Sequence, residues 1–301
     1  MGVSITKQGW IKTMKTLSKT ALLGALMVLG LFSSNIAEAA PFSFQRREEK
    51  LKNPNSRWFR LKTVIWYPTK DSSKKLAKKP KAGFPVLVFL HGFGGLADTY
   101  KDLSQGLAQQ GFIVVQNNSA RFSSSQQRKD GQALFQALKT ANNNKKSFWH
   151  GAFNMKKVAL GGHSMGAGST TAILAKNPGF KAGFCFAPVA KFETAARIKV
   201  PMGIVMGESD KYDWKNGERL YQILSKKTDK FFYLLNTNAD HQNLVRKRSQ
   251  GKANQEVWSF SFKLCLAFLD AHLRDNDKDL KKLLSRAAPH RKKIYLNSPK
   301  S

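Results

Sequence analysis

Cysteine is almost missing from this chain: Cys185 and Cys265 are the only two in 301 residues. Two cysteines make no disulfide framework, so the fold has to rest on a hydrophobic core. Cys185 lies in the strand-like run Gly183-Phe184-Cys185-Phe186 and Cys265 in the helical pattern from Phe260 to His272. Two buried thiols are the expectation, with a bridge left for geometry to decide. Acidic side chains are also scarce, 19 Asp and Glu against 51 Lys and Arg, which gives a formal charge of +32. Such a balance speaks to solubility and to anionic partners, and it does not specify a fold. No nucleic-acid recognition motif accompanies the charge, so specific nucleic-acid binding is not supported. The apolar run from Ala21 to Phe32 falls short of the roughly 20 residues that a membrane-spanning helix needs. Internal repeats and low-complexity linkers are missing too, which removes solenoids and any reason for a second domain.

What is there begins with an export pattern. Lys7, Lys12, Lys15 and Lys19 precede the apolar run, and Ala37-Glu38-Ala39 is a small-x-small cleavage site. Residues 1–39 therefore read as a secretory signal peptide, and the chain as exported, to the periplasm or beyond. Ala40 follows the site where a lipid-bearing cysteine would stand. Residues 40–301 remain as one domain ending in a basic C-terminal tail. Removing the first 39 residues, with four lysines and one glutamate, leaves a formal charge of +29. An anionic polymer or a membrane surface is the partner such a charge suggests, with solubility as the plainer reading. The densest lysine stretch, residues 72–81, reads as a solvated loop, with a binding patch as the alternative.

From Pro85 onward, short apolar runs alternate with helical patterns. Pro85–Leu90, Phe112–Val115, Lys157–Leu160, Gly183–Phe186, Met202–Val205 and Phe231–Leu235 read as buried strands; Leu103–Gln110, Gly131–Leu138, Ala167–Ala175 and Val257–Leu273 read as helices. Continuous apolar strands separated by helices predict an α/β fold, a mostly parallel sheet with helices on both faces. Trp58–Tyr67 reads as an early strand, and Phe42–Asn55 as a polar lead-in.

The sharpest local signal is Gly162-His163-Ser164-Met165-Gly166, between a predicted strand and a small-residue helix start. A G-x-S-x-G sequence in that setting is a nucleophile elbow, which holds the serine on a tight strained turn with glycines beside it. The helix that follows brings a positive end towards a developing oxyanion. Leu90-His91-Gly92-Phe93-Gly94-Gly95 follows another apolar strand, and its glycines let backbone N–H groups approach a substrate carbonyl. The N–H groups of Phe93 and Met165 are the candidate oxyanion donors, and His91 reads as structural. The acid should follow the serine at the end of a later strand, where Asp210 is the best candidate and Glu208 and Asp213 are its rivals. The base should come last, on a loop after a further strand, which selects His241 after Phe231–Leu235. His91, His150 and His163 come too early, His272 sits in a helical pattern and His290 in the basic tail.

The HGFGG segment, the GHSMG elbow and the order Ser164, Asp210, His241 together resemble the α/β-hydrolase superfamily. Within it, the chain looks like the branch of dienelactone-hydrolase-like, cutinase-like polyesterase, chlorophyllase and platelet-activating-factor acetylhydrolase enzymes, a resemblance that covers roughly Trp58 to Leu273. It implies a serine esterase of α/β-hydrolase fold acting on an ester substrate, with no metal or organic cofactor. Two departures bear on substrate. Dienelactone hydrolases use cysteine where Ser164 stands, and polyester hydrolases of this kind usually carry a tryptophan where Ala187-Pro188-Val189 places valine. The short stretch between Pro188 and Val200 leaves no room for a lid domain. An acyltransferase or peptidase on the same fold, or an inactive basic binding protein, are the rival readings.

Overall fold

The computed structural model describes residues 41–71, 73–176, 179–236, 239–247, 252–285 and 291–297. The expected signal peptide, residues 1–39, and His290 lie outside the described residues. Among the described residues nine strands form one sheet: β1 Ser43–Lys52, β2 Arg60–Thr69, β3 Phe84–Leu90, β4 Ile113–Asn117, β5 Phe153–His163, β6 Ala182–Phe186, β7 Met202–Gly207, β8 Lys230–Leu235 and β9 Arg291–Asn297. Their order is β1-β2-β4-β3-β5-β6-β7-β8-β9. The six strands from β3 to β8 run parallel, while β1, β2 and β9 are antiparallel to their neighbours. Every residue of β3, β4, β6, β7 and β8 is buried. Each large apolar side chain so buried stabilises the fold by roughly 1.5–3 kcal/mol.

The helices among the described residues are α1 Lys101–Gln109, α2 Ser124–Asn143, α3 Met165–Leu174, α4 Lys215–Ile223, α5 Lys252–Leu273 and α6 Lys278–Leu283. Adjacent residues of β6 show how they divide between the two faces. Gly183 faces Leu174 of α3, whereas the Phe184 ring meets Phe268 of α5 at 5.3 Å. Gly131 of α2 abuts Ile173 of α3, and Gly217 of α4 abuts Met206, so these three helices share one face. Gly106 of α1 abuts Phe262 of α5 on the other. Among the described residues, no helix is long and apolar enough to cross a membrane.

This division also decides the cysteine question. Cys185 turns its thiol towards Ala167 of α3, while Cys265 rides on α5 across the sheet. Both are buried free thiols, and burial pushes both thiol pKa values up.

Two segments differ from the sequence expectation. The polar lead-in contains β1, paired with β2 along its whole length from Ser43 opposite Thr69 to Lys52 opposite Arg60. The basic tail contains β9, paired with β8. Both are edge strands, and charge on an edge discourages pairing with another chain. The lysine-rich loop joins β2 to β3, so it lies at the N-terminal ends of the parallel strands. There the Lys79 ammonium donates to the His150 carbonyl at 2.6 Å. The elbow lies at their C-terminal ends, on the opposite side of the sheet.

Candidate active site

Ser164 begins where β5 ends and α3 starts, with φ 56° and ψ −121°. That left-handed backbone is costly for a residue with a Cβ, and it persists because the surroundings over-determine it. The Ser164 N–H donates to the Phe186 carbonyl at 3.0 Å, and its carbonyl accepts from the Gly168 N–H at 3.1 Å. A Cβ on Gly162 would strike the backbone of Gly166, and one on Gly166 would strike the Leu90 carbonyl oxygen. The two glycines of the motif are therefore steric requirements of the turn.

The loop after β3 approaches from the neighbouring strand. Gly95 N–H donates to Gly92 C=O at 2.9 Å, closing a turn that carries Phe93. Arg121 braces it: Gly94 N–H donates to the Arg121 carbonyl at 2.7 Å, and the Arg121 guanidinium donates to the Gly94 carbonyl at 2.8 Å. Among the described residues, no acceptor takes the N–H of Phe93 or of Met165, the first residue of α3. Free N–H groups at a helix start are anion-binding positions. The Phe93 side chain is 69% exposed.

Asp210 and His241 meet at the ends of β7 and β8. His241 Nδ1–H donates to Asp210 Oδ2 at 2.8 Å, and both side chains are almost fully buried. The other Asp210 oxygen accepts from the Tyr212 N–H at 2.8 Å. The rival carboxylates are engaged elsewhere: Glu208 pairs with Lys292 at 3.1 Å, and Asp213 accepts from the Lys215 N–H at 3.0 Å. Tyr212 closes over the His241 ring edge-on, with centroids 4.6 Å apart. On another side the His163 ring lies 4.6 Å from that of His241, which brings the imidazole beside the residue preceding Ser164.

His163 belongs to a chain of bonds that the motif alone does not announce. Tyr100 Oη accepts from the Gly92 N–H at 2.7 Å, and His163 Nδ1 lies 3.1 Å from the same oxygen. The Tyr100 proton then goes to His163 Nδ1, and His163 Nε2–H donates to the His241 carbonyl at 2.7 Å. Burial, with His241 close by, holds the His163 pKa down at about 3, so the ring stays neutral and keeps that tautomer. Burial also pushes the Tyr100 hydroxyl up to about 12. One line of bonds thus ties the Phe93 loop, the elbow and the His241 loop together. His91 is buried, with Nε2 2.8 Å from the Ser119 carbonyl, a structural contact.

Beside the elbow lies a cleft of about 530 Å³ lined by Phe93, Met165, Val189, Phe192 and Thr194 among others. Residues 187–201, between β6 and β7, hold only a short 3-10 turn at Ala195–Arg197, so no lid domain is inserted there. Val189 stands on this wall in the region where the resemblance leads one to expect tryptophan.

A comparison with curated proteins returns no match. A family model described as PETase, PET hydrolase-like, matches residues 34–290. With its mostly parallel α/β sheet and a match that spans most of its length, the chain belongs to the PET hydrolase-like family of α/β-hydrolases and is a carboxylic ester hydrolase.

Proposed function

We propose that the protein is an exported serine hydrolase, one catalytic domain after signal cleavage, that splits carboxylic esters through Ser164, His241 and Asp210. The observation that carries this reading is the 2.8 Å bond from His241 to the buried Asp210 carboxylate, with the imidazole beside the strained Ser164 turn. Asp210 holds the tautomer that leaves His241 Nε2 free as a base. Ser164 Oγ attacks the ester carbonyl and its proton passes to His241 Nε2. The tetrahedral oxyanion rests on the Phe93 and Met165 N–H groups. Collapse breaks the bond to the alkoxy oxygen, which leaves as the alcohol with the proton from Nε2. Water then loses a proton to Nε2 and attacks the acyl carbon, and Ser164 recovers its proton as the acid departs. The open cleft suits extended esters, with Phe93 and Phe122 as its exposed rings and valine rather than an aromatic ring at 189.

A fluorophosphonate probe tests the assignment directly. Intact-mass analysis should show one adduct on Ser164, and Ser164→Ala should lose both the adduct and ester turnover. An adduct that persists on another serine would sink the assignment. For export, N-terminal sequencing of the protein recovered outside the cytoplasm should begin at Ala40.

A further inference from the structure

A second cleft, of about 700 Å³, lies between the tip of the β1–β2 hairpin and the loop after β4. Because β2 runs antiparallel to β4, with Thr63 opposite Asn117, this tip stands at the C-terminal ends of the parallel strands, on the elbow's side of the sheet. The cleft's apolar walls are Phe59 and Phe122, 75% and 64% exposed. Phe122 also borders the cleft at the elbow and meets Phe93 edge-to-face at 5.2 Å, so the two clefts adjoin at that ring pair. The Phe59 end is held in place, since the Ser56 hydroxyl accepts from the N–H groups of Trp58 and Phe59 at 3.3 and 3.0 Å.

The cations here are of two kinds. Arg121 is committed to the Gly94 carbonyl and lies against the Phe122 ring at 5.3 Å. Arg60, Lys62 and Lys129 also line the cleft, are exposed, and have no ion-pair partner among the described residues. The lining carboxylate, Asp130, is already bonded to Ser119 Oγ at 2.7 Å and Gln126 Nε2 at 2.9 Å. Arg60, Lys62 and Lys129 against the one buried carboxylate leave a net positive charge around an aromatic trough, which calls for a ligand that is apolar along its length and anionic at an end.

We propose that this cleft is a remote subsite for a carboxylate-terminated ester chain, its repeat lying on Phe59 and Phe122 and its carboxylate held by Arg60, Lys62 and Lys129. This rests on the ester-hydrolase reading above and extends it. Hydrolysis of a polyester makes the ligand: each cleavage turns one ester into an alcohol and a carboxylic acid, which ionises at neutral pH. The subsite therefore favours chains that have already been cut, and activity on a polymer rises as its ends accumulate.

The test uses Arg60→Gln/Lys62→Gln/Lys129→Gln in the full mature chain, with an oligoester carrying a free carboxylate end, its methyl-capped twin, and p-nitrophenyl acetate. In the triple variant, KM for the free-acid oligoester should rise about tenfold with kcat unchanged, the loss of one to two charge-assisted contacts. The capped oligoester and p-nitrophenyl acetate should be unaffected. In the unsubstituted protein, raising salt from about 0.02 to about 0.5 M should reproduce the variant's KM. Phe59→Ser should weaken both oligoesters alike. Equal KM values for free and capped chains in the unsubstituted protein would overturn the proposal. So would a triple variant that loses only its adsorption to anionic phospholipid vesicles. If no ester is turned over at all, the ester-hydrolase reading has failed. Calorimetry with an ether-linked, carboxylate-terminated analogue then still decides whether Arg60, Lys62 and Lys129 bind it.

Discussion

The ring pair Phe93–Phe122 separates two regions built on opposite principles. On the elbow side, side chains are buried and committed: Tyr100, His163, His241 and Asp210 form hydrogen bonds of 2.7 to 3.1 Å, and the glycines leave no space for a methyl group. On the hairpin side, aromatic rings and cations stand in solvent, and Arg60, Lys62 and Lys129 have no ion-pair partner among the described residues. The difference matches the roles proposed for the two regions. Transferring a proton needs groups fixed to a fraction of an ångström, which only packing and satisfied bonds supply. Gathering an anionic chain needs charge density, which acts across several ångströms of water and tolerates motion. Substitutions should accordingly be severe and salt-independent on one side, mild and salt-dependent on the other.

The largest effect should come from Asp210→Asn, which leaves the shape of the site but misdirects the His241 tautomer. Turnover should fall about 10⁴-fold at every salt concentration, measured on a soluble ester. If Glu208→Gln or Asp213→Asn does the damage instead, the rigid side of the comparison has been drawn around the wrong acid. Next in size is an acid sensitivity stored in His163. In the unfolded chain this imidazole titrates near 6.5, whereas burial holds it at about 3 in the folded protein. The unfolded state therefore binds more protons in between, so the stability contribution is full above about 6.5 and is lost as pH falls towards 3. Between pH 6.5 and about pH 4 this amounts to about 3 kcal/mol, read from urea midpoints, and His163→Gln should flatten that slope. An unchanged slope would mean that His163 is protonated in the folded state.

Tyr100→Phe sharpens the contrast further, because it removes one oxygen and orphans both the Gly92 N–H and His163 Nδ1. A loss of roughly 1–3 kcal/mol in stability is expected, with kcat falling more than KM rises. An unaltered kcat would confine this network to folding. The smallest effect belongs to the lysine loop. Replacing Lys74, Lys75, Lys78 and Lys79 with glutamine should leave small-ester turnover unchanged and, since the loop lies at the far end of the sheet, leave the KM for a carboxylate-terminated oligoester unchanged too. A KM shift as large as that of the hairpin-side triple variant would erase the distinction between local charge and total charge.

How far the sequence could be read depended on how a segment meets water. Strands β3 to β8 were legible because strands covered on both faces become unbroken apolar runs. The edge strands β1 and β9 were not, because their residues carry the charge that protects an open edge, and SFQRREEKLK and RKKIYLN look like solvated chain until a partner strand is in view. In the candidate site, order along the chain singled out Ser164, His241 and the loop of the acid as candidates. Three carboxylates within six residues of that loop could not be separated by pattern. The bonds made by Glu208 and Asp213 to Lys292 and Lys215 leave Asp210 as the one against His241. Tyr100 carried no signal at all, since its role exists only through contacts with Gly92 and His163.

By itself, then, the sequence determined the α/β class, the strained serine turn and the candidate nucleophile and base, because these depend on local periodicity and on glycines at fixed offsets. Only the tertiary structure decided which carboxylate faces His241, that the two cysteines lie across the sheet from each other, and that the lysine-rich loop lies away from the elbow while Arg60, Lys62 and Lys129 lie on its side. Each of these depends on strand order and direction, which bring together residues far apart in the chain, and hydropathy along a single chain holds no record of which strands become neighbours.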